Sequence, residues 1–220
     1  VGFKEMQKME EIPLTQHAFV FDLTKKTNED IENGNIIKSI QTQTPTNIPK
    51  THVLVQVKYC GINPVDAKYC VGDKLPSYFE FIGKYFVNTK GIGFDFSGVV
   101  VQTHPDEKKY KVGDAIYGTM PPLSGSFREY VCAPSNQINI SPQNFNFQQS
   151  AALPLVGLTA IQCLKYDYKL QKDQKLLLIG ASGGVGHVAL QVAKSMGAKV
   201  SCICSGKNID YVEDLGADYC

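Results

Sequence analysis

Hydrophobic and polar positions follow two different patterns along this chain. Up to about residue 140, short apolar segments recur at roughly regular spacing between turn-forming stretches, and Val53, Val55 and Val57 give the clearest alternation. Such a run of short strands is typical of a small β-barrel. From residue 150 onward the apolar positions take helical spacing and then enclose a glycine-rich turn. The pattern therefore predicts an all-β domain at residues 1–149 and an α/β domain at residues 150–220.

The predicted elements of the β domain are short. Strands are predicted at residues 17–23, 36–40, 53–59, 94–102, 127–132 and 138–140, with one more after the turn at Gly113 and Asp114. Residues 42–50 predict a loop, and residues 61–66 predict a turn into a short helix. Residues 141–149 predict a linker, and residues 150–166 predict a single helix that leads into the α/β domain.

The α/β domain contains a β-α-β pattern between residues 175 and 206. The four apolar residues 176–179 form a run short enough for a buried parallel strand. A helix is predicted from about Val185, because apolar residues then recur at helical spacing as far as Met196, and Gly197 is a natural stop. A second strand is predicted at residues 200–204. This order of elements is that of a dinucleotide-binding unit.

The glycine-rich turn between the first strand and the helix has the composition that a bound pyrophosphate requires. Gly183 lets the main chain approach the phosphates, and Gly186 lets the helix pack closely on the strand. The first N–H groups of a helix have no acceptor within it and can donate to an anion. An ordinary tight turn that binds nothing is the alternative. The residues predicted to hold a dinucleotide here are Ala181, which replaces the usual first glycine, Ser182, Gly183, Gly184, Val185 and Gly186.

The end of the second strand indicates which dinucleotide is bound. Sites that prefer NADH usually place a carboxylate about 20 residues past the glycines, where it binds the ribose hydroxyls. Residues 204–208 contain no carboxylate, but Ser205 can donate to a 2′-phosphate and Lys207 can neutralise it. The sequence therefore predicts NADPH as the cofactor, although Lys207 could also be an ordinary solvated lysine.

Composition excludes several classes of function. Of the 220 residues, 43% are hydrophobic and 20% are charged, which is typical of globular proteins. The net charge of +1 gives no electrostatic case for binding nucleic acid or an anionic membrane. No apolar run approaches the roughly 18 residues of a membrane-spanning helix. The seven cysteines are scattered, which favours reduced thiols in an intracellular compartment, either cytoplasmic or organellar.

Motifs along most of the chain resemble one enzyme superfamily. They lie at residues 61–68, 128–131, 151–160, 183–187 and 207–218. Together they resemble the medium-chain dehydrogenase/reductase superfamily in its zinc-free quinone oxidoreductase branch, including chloroplast-envelope quinone oxidoreductase homologues and NADPH-dependent alkenal or enone reductases. The resemblance implies a GroES-like β-barrel domain followed by a Rossmann domain, of which only the N-terminal half is expected in this chain.

The resemblance also suggests that there is no metal site. Zinc-dependent relatives place a cysteine where this chain has Asn63, a His-Glu pair where it has Phe94 and Asp95, and a third ligand near Leu153. Catalytic zinc needs about three protein ligands of cysteine, histidine or carboxylate type. We therefore expect zinc-independent transfer of hydride from NADPH to a quinone or an α,β-unsaturated carbonyl compound.

Four residues outside the glycine turn take roles from the same resemblance. Asn63 is expected beside the nicotinamide and the substrate, Lys68 to polarise the substrate carbonyl, and Tyr69 to be a weaker candidate for the same role. Thr159 is expected to face the nicotinamide. Asn63 could instead belong to an ordinary Asn-Pro turn, and Lys68 could be solvated. Aromatic residues that could line a pocket for flat substrates are Tyr78, Phe79, Phe81, Tyr85 and Phe86.

Two functions of different class remain open. The first is an NADPH-dependent quinone or enone reductase that acts on a small molecule. The second is a non-catalytic component of a larger assembly, built on a truncated reductase scaffold. Relatives in the superfamily are longer, so we expect an open sheet edge that a second copy or another partner covers. Intact phosphate-binding glycines favour the first function, and the expected missing half favours the second.

Overall fold

The computed structural model describes residues 11–21, 37–71 and 91–220. The chain divides into two compact units, with the boundary between Ala152 and Leu153. The assignment of a substrate role to residues 1–149 and of a nucleotide role to residues 150–220 stays a prediction. In the described ranges, no helix combines the length and the apolar character needed to cross a membrane.

The first unit is an antiparallel β structure with two short helices in its described residues. Its strands are β1 Thr15–Phe21, β2 Ile37–Gln43, β3 His52–Cys60, β4 Asp95–Thr103, β5 Ala115–Thr119, β6 Tyr130–Pro134 and β7 Ile138–Ile140. Its helices are α1 Pro64–Val71 and α2 Phe147–Ala151. Strands β6, β3, β4, β5 and β7 form one sheet in that order, and β1 pairs with β2. Ala18 of β1 also bridges Arg128, shortly before β6.

Successive side chains of strand β3 around residue 54 point in opposite directions and enter two separate parts of the core. Val53 and Val55 are fully buried in a cluster that also contains Phe96 and Ile116. Leu54 points to the opposite side of β3 and is equally buried, in a second cluster with Ile48 and Tyr130. Strand β3 is therefore covered on both faces at this point, as expected for a central strand.

The largest differences from the predicted strand boundaries in the described residues lie at the end of β2 and the start of β6. Strand β2 continues through Thr42 and Gln43, which pair with Gln16 and Thr15 of β1, so the predicted loop begins too early. Strand β6 begins at Tyr130 rather than at Phe127. Such ends depend on which strand lies alongside, and a local pattern does not contain that information.

The predicted linker and the single helix after it are also wrong. Helix α2 begins inside the predicted linker, because Asn146 and Gln149 cap each other's main-chain N–H groups. The chain then breaks before Pro154, which opens the separate helix α3, Pro154–Ile161. Proline lacks the N–H that an uninterrupted helix would need here, but it is well suited to a first turn. A π-helical segment, Gln162–Asp167, follows α3 directly.

The second unit contains the predicted β-α-β arrangement. Strand β8 Lys175–Ile179 pairs in parallel with β9 Lys199–Ile203, and helix α4 Gly184–Ser195 connects them. A 3-10 turn, Gly206–Asn208, and helix α5 Ile209–Asp214 follow β9. The core of the unit includes the fully buried Leu190, Val200 and Val212. Gly197 ends α4 with a φ of 80°, in agreement with its predicted role.

One side of strand β8 is exposed, in contrast to the prediction of a buried strand. Leu177 is 59% exposed and Ile179 is 72% exposed, whereas Leu176 and Leu178 pack against the core. Successive strand side chains point to opposite faces, and the described residues cover only one of those faces. A run of four apolar residues is consistent with a strand that is covered on one face and with a strand that is buried on both faces. The sequence could not distinguish between these two arrangements.

Candidate functional site

The glycine-rich turn holds helix α4 close to the end of strand β8. Gly180 has a φ of 75°, which favours glycine, and it reverses the chain after β8. A Cβ atom on Gly186 would lie 2.2 Å from the carbonyl oxygen of Gly180. Only glycine allows this approach, so Gly186 has the packing role that its position predicts.

The N-terminus of helix α4 is open to solvent and keeps its N–H donors free. Gly183 is the N-cap residue, and no side chain caps the helix there. Gly183, Gly184 and Val185 are exposed. His187 is the first residue whose N–H reaches back along the helix, to the oxygen of Gly183 at 3.0 Å. In the described residues, the N–H groups of Gly184, Val185 and Gly186 therefore have no main-chain acceptor and can donate to an anion.

Ala181 supports the turn from inside and has no free donor. Its side chain is fully buried in the core of the unit. Its N–H and that of Gly180 both donate to the carbonyl oxygen of Ile203, at 3.2 Å and 2.9 Å. Ala181 thus ties the turn to the end of β9, while the groups available to a phosphate come from the residues that follow it.

Three polar side chains connect the glycine turn with the segment after β9. The side-chain amide of Asn208 donates to the hydroxyl of Ser182 at 2.9 Å and to the hydroxyl of Ser205 at 3.1 Å. Lys207 lies between Ser205 and Asn208 in the sequence, and its side chain is exposed. The structure therefore brings together Ser182 and Ser205, which the sequence analysis assigned separately. Asn208 was missed, and its only sequence signal was its place among polar residues after the second strand.

Thr159, and also His187 in the first turn of helix α4, make hydrogen bonds within their own helices. Thr159 donates its hydroxyl hydrogen to the oxygen of Leu155 at 2.7 Å. The Nδ1 atom of His187 lies 2.9 Å from the oxygen of Gly183. Helix α3 does contact the turn, since a Cβ atom on Gly184 would lie 3.7 Å from Val156. These contacts place Thr159 on a helix next to the turn, and its role toward a nicotinamide stays a prediction.

The described residues of this unit suit a dinucleotide phosphate. Helix α4 offers free N–H groups, and the exposed Gly183 and Gly184 leave space for a close approach to the main chain. The hydroxyl groups of Ser182 and Ser205, which Asn208 connects, offer polar hydrogens nearby, and Lys207 offers a positive charge. No carboxylate lies within residues 204–208 to oppose a second phosphate.

In the first unit, Asn63 belongs to a buried polar cluster at the end of β3. Its main-chain N–H donates to Asp66 at 2.7 Å, and its side-chain amide donates to Asp95 at 3.1 Å. Asn63, Asp66 and Asp95 are 8%, 4% and 0% exposed. The second N–H and the amide oxygen of Asn63 have no partner among the described residues. Asp95 therefore orients the side-chain amide, and Asp66 holds the main chain at the same residue.

Burial changes the proton affinity of two groups in this cluster. It raises the pKa of the Asp66 carboxyl above its ordinary value, although the hydrogen bond from the Asn63 N–H partly offsets the effect. Burial is also the main cause that raises the pKa of the Cys60 thiol to about 11. That thiol donates to the oxygen of Ser126 at 3.2 Å. Cys60 is therefore protonated and unreactive near neutral pH.

The remaining candidates are only partly covered by the structure. Lys68 and Tyr69 lie on helix α1, and their side chains fall outside the described residues. The aromatic segment expected to line a pocket, from Tyr78 to Phe86, also lies outside them. In the part of the chain that is described, no three histidine, cysteine or carboxylate side chains lie close enough to hold a metal ion.

Comparison with known proteins shows which proteins this chain is similar to. Residues 49–143 match the alcohol dehydrogenase GroES-like domain. The chain is 32% identical over 218 residues to the trans-enoyl reductase pgmF of Aspergillus terreus, covering 94% of this chain and 58% of that protein. It is 33% identical over 179 residues to the mitochondrial NAD(P)H oxidoreductase RTN4IP1 of Mus musculus, covering 76% of this chain and 45% of that protein.

A solved structure agrees with these relatives. The quinone oxidoreductase from Coxiella burnetii superposes with a TM-score of 0.77 at 30% identity, over 94% of this chain and 62% of that chain. The comparisons confirm the expected GroES-like fold and the resemblance to quinone oxidoreductases. The chain spans about half the length of the curated relatives that it matches.

Proposed function

Because this chain is similar to proteins of quinone oxidoreductase and enoyl reductase type, we propose that it is an NADPH-dependent oxidoreductase of the medium-chain dehydrogenase/reductase superfamily. Its reaction reduces a quinone or an α,β-unsaturated carbonyl compound. The names of its relatives support this class of reaction, and the open glycine turn of the second unit supports a dinucleotide cofactor.

The observation that carries the proposal is the hydrogen-bonded group at the glycine turn. Asn208 joins Ser182 to Ser205, and the exposed Lys207 follows the same strand end. The free N–H groups of helix α4 would hold the pyrophosphate, while Ser205 and Lys207 would hold a 2′-phosphate and Asn208 would position Ser205. NADPH is preferred over NADH because this segment provides a positive charge and no carboxylate.

Reduction needs a hydride and a group that stabilises negative charge on the substrate oxygen. Bound NADPH supplies the hydride from its nicotinamide. The side-chain amide of Asn63 is oriented by Asp95, its main chain is held by Asp66, and its second N–H can donate to a substrate oxygen. Lys68 polarises the carbonyl, and Tyr69 is an alternative donor for the same oxygen. No metal takes part in this proposal.

A second function is favoured by one structural observation. Leu177 and Ile179 expose apolar side chains on one face of β8, as a docking surface would. A non-catalytic scaffold that binds a second copy or another protein through this face is the alternative.

The protein is expected in an intracellular compartment, either cytoplasmic or organellar, and without nucleic acid as a partner.

Titration of the purified chain with NADPH tests the proposal. Nicotinamide fluorescence should report saturable binding that is tighter for NADPH than for NADH. A screen of quinones and enones for NADPH oxidation should then find turnover of at least one of these classes. Equal or absent binding of both dinucleotides by a folded chain would overturn the cofactor assignment and favour the scaffold.

A further inference from the structure

Two cysteine thiols lie side by side next to the glycine turn. The sulfur atoms of Cys204 and Cys220 are 3.4 Å apart, although 16 residues separate them in the sequence. Cys204 is half-buried and follows strand β9, whereas Cys220 is exposed. Neither residue has a place in the proposed reaction, so the pair calls for a separate explanation.

Main-chain pairing holds these two thiols together. Tyr219 bridges Ser201 of β9 in parallel, and its oxygen accepts from the N–H of Cys202 at 2.8 Å. Asp218 adds a second attachment, since its carboxylate accepts from the N–H of Val200 at 2.6 Å. The segment that carries Cys220 is therefore held beside β9 by contacts that do not involve the thiols.

We propose that Cys204 and Cys220 form a reversible disulfide, so that the pair is an oxidative modification site for small disulfides of the glutathione class. The proposal rests on the proximity of the two sulfur atoms and the exposure of one of them. A disulfide bond is about 2.0 Å long, so the sulfurs need to approach by roughly 1.4 Å. In this proposal both residues move, Cys204 at the end of β9 and the exposed Cys220.

The reaction proceeds by two thiol–disulfide exchanges. In the first, one protein thiol loses its proton, and its sulfur attacks oxidised glutathione, forming a mixed disulfide and releasing one glutathione thiolate. In the second, the other protein thiol also loses its proton, and its sulfur attacks the protein sulfur of the mixed disulfide and releases the second glutathione thiolate; the two released thiolates take up the two protons. The two protein thiols are oxidised by two electrons, and the glutathione disulfide is reduced to two thiols.

The position of Cys204 connects this site to the cofactor turn. The residue before it, Ile203, accepts the N–H groups of Gly180 and Ala181 through its carbonyl oxygen. The residue after it, Ser205, accepts a hydrogen bond from Asn208. Displacement of Cys204 toward Cys220 therefore disturbs the hydrogen bonds that its two neighbours in sequence make to the glycine turn and to Asn208. This consequence rests on the proposed function, and it predicts that oxidation weakens NADPH binding.

The disulfide itself is tested by mass, independently of any activity. After incubation with oxidised glutathione, the chain should lose two hydrogen atoms in intact mass, and peptide mapping should join Cys204 to Cys220. Cys204→Ser and Cys220→Ser should each retain a glutathione adduct instead, because the second exchange is impossible. Cys163→Ser is the matched control, since Cys163 is an exposed cysteine on the π-helical segment, and it should behave as the unmodified chain does.

Several outcomes would overturn the modification site. They are a bond that uses Cys202 or Cys163, a disulfide between two copies of the chain, and the absence of a Cys204–Cys220 peptide under conditions in which the exposed Cys163 carries glutathione. Reduction with a thiol should restore the original mass, and failure to do so would contradict a reversible site.

Cofactor binding provides the second arm of the test. NADPH affinity of the oxidised chain should be about tenfold weaker than that of the reduced chain, which corresponds to the loss of a hydrogen bond to a charged group. The double variant Cys204→Ser, Cys220→Ser has neither thiol of the pair and should show the same affinity before and after the treatment. If the oxidised and the reduced chain, both without substitutions, bound NADPH with equal affinity, the coupling between the disulfide and cofactor binding would be overturned. Absence of NADPH binding in both forms would reject the proposed function, while the disulfide is still decided by mass.

Discussion

Asn208 shows how one side chain defines the candidate cofactor site. It is a short polar residue in an exposed segment, and its amide joins two serines from separate parts of the sequence. An amide there can donate to the phosphate side of the turn, whereas a carboxylate of the same size would oppose it. The expected preference for NADPH is therefore sensitive to this single position.

We expect Asn208→Asp to weaken NADPH binding by about tenfold and to change NADH binding little, because the new charge repels a 2′-phosphate. The serine hydroxyls can donate to the carboxylate, so the local structure should persist. Fluorescence titration with both dinucleotides measures the ratio of affinities. An unchanged ratio would show that the 2′-phosphate does not lie near this residue.

Asp66 makes a contribution to stability that depends on pH. Burial raises its pKa above the ordinary value of 3.8, so the folded chain keeps the proton at pH values where the unfolded chain has released it. The stabilisation from this group is therefore complete at acid pH and is lost as the pH rises from the ordinary value through the raised one.

Asp66→Asn removes the ionisable group while preserving an oxygen that accepts from the Asn63 N–H. In the unsubstituted chain, the free energy of unfolding should decrease as the pH rises through the mildly acidic range. We expect this decrease to be smaller in the variant. Urea unfolding at a series of pH values measures the effect, with Asp106→Asn as a control at an exposed carboxylate. Parallel pH profiles for Asp66→Asn and the unmodified chain would contradict the assignment.

At the scale of elements, the β-α-β unit depends on close contact between the turn and helix α4. The carbonyl oxygen of Gly180 lies where a side chain on Gly186 would begin. This contact sets the position of the helix N-terminus relative to the strand end, and therefore the direction of the free N–H groups. The packing glycine and the anion-binding donors consequently act together.

Gly186→Ala should destabilise the chain by about 1–3 kcal/mol, because its Cβ would lie 2.2 Å from a main-chain oxygen that has little freedom to move. Gly206→Ala is the matched control, since no heavy atom lies within 4 Å of its Cβ position. Urea unfolding compares the two variants. Equal free energies of unfolding would show that the turn relaxes at little cost.

At the scale of the whole molecule, the second unit leaves one sheet face uncovered in the described residues. Leu177, Ile179 and Ile203 are all at least half exposed, on neighbouring parallel strands. Burial of such side chains is worth about 1.5–3 kcal/mol each. Covering this face with a partner would therefore bury exposed apolar surface and stabilise the unit.

We expect the chain to self-associate and the double variant Leu177→Glu, Ile179→Lys to associate at least tenfold more weakly, because charges then occupy the apolar face. Sedimentation at several concentrations measures the effect. Leu158→Gln replaces a similarly exposed leucine on helix α3 and should not change the association. Identical sedimentation of the double variant and the unmodified chain would exclude this face as the contact between copies.

Much of the architecture was predictable because it depends on local patterns. The short strands of the first unit, the β-α-β order of the second and the stop at Gly197 follow from apolar spacing and from the special conformation of glycine. The break between α2 and α3 was missed, although Asn146, Gln149 and Pro154 were visible signals. The extension of β2 had no local signal, since it depends on pairing with β1.

The sequence by itself determined the residue types of the cofactor turn, their order and the absence of a carboxylate after the second strand. Only the tertiary structure decided that Asn208 links Ser182 to Ser205, that Asp66 and Asp95 hold Asn63, and that Cys204 meets Cys220. The physical reason is distance along the chain. Spacing predicts a helix, a strand or a turn from neighbours in sequence, whereas a hydrogen bond between residues 26 or 32 positions apart depends on how separate elements pack.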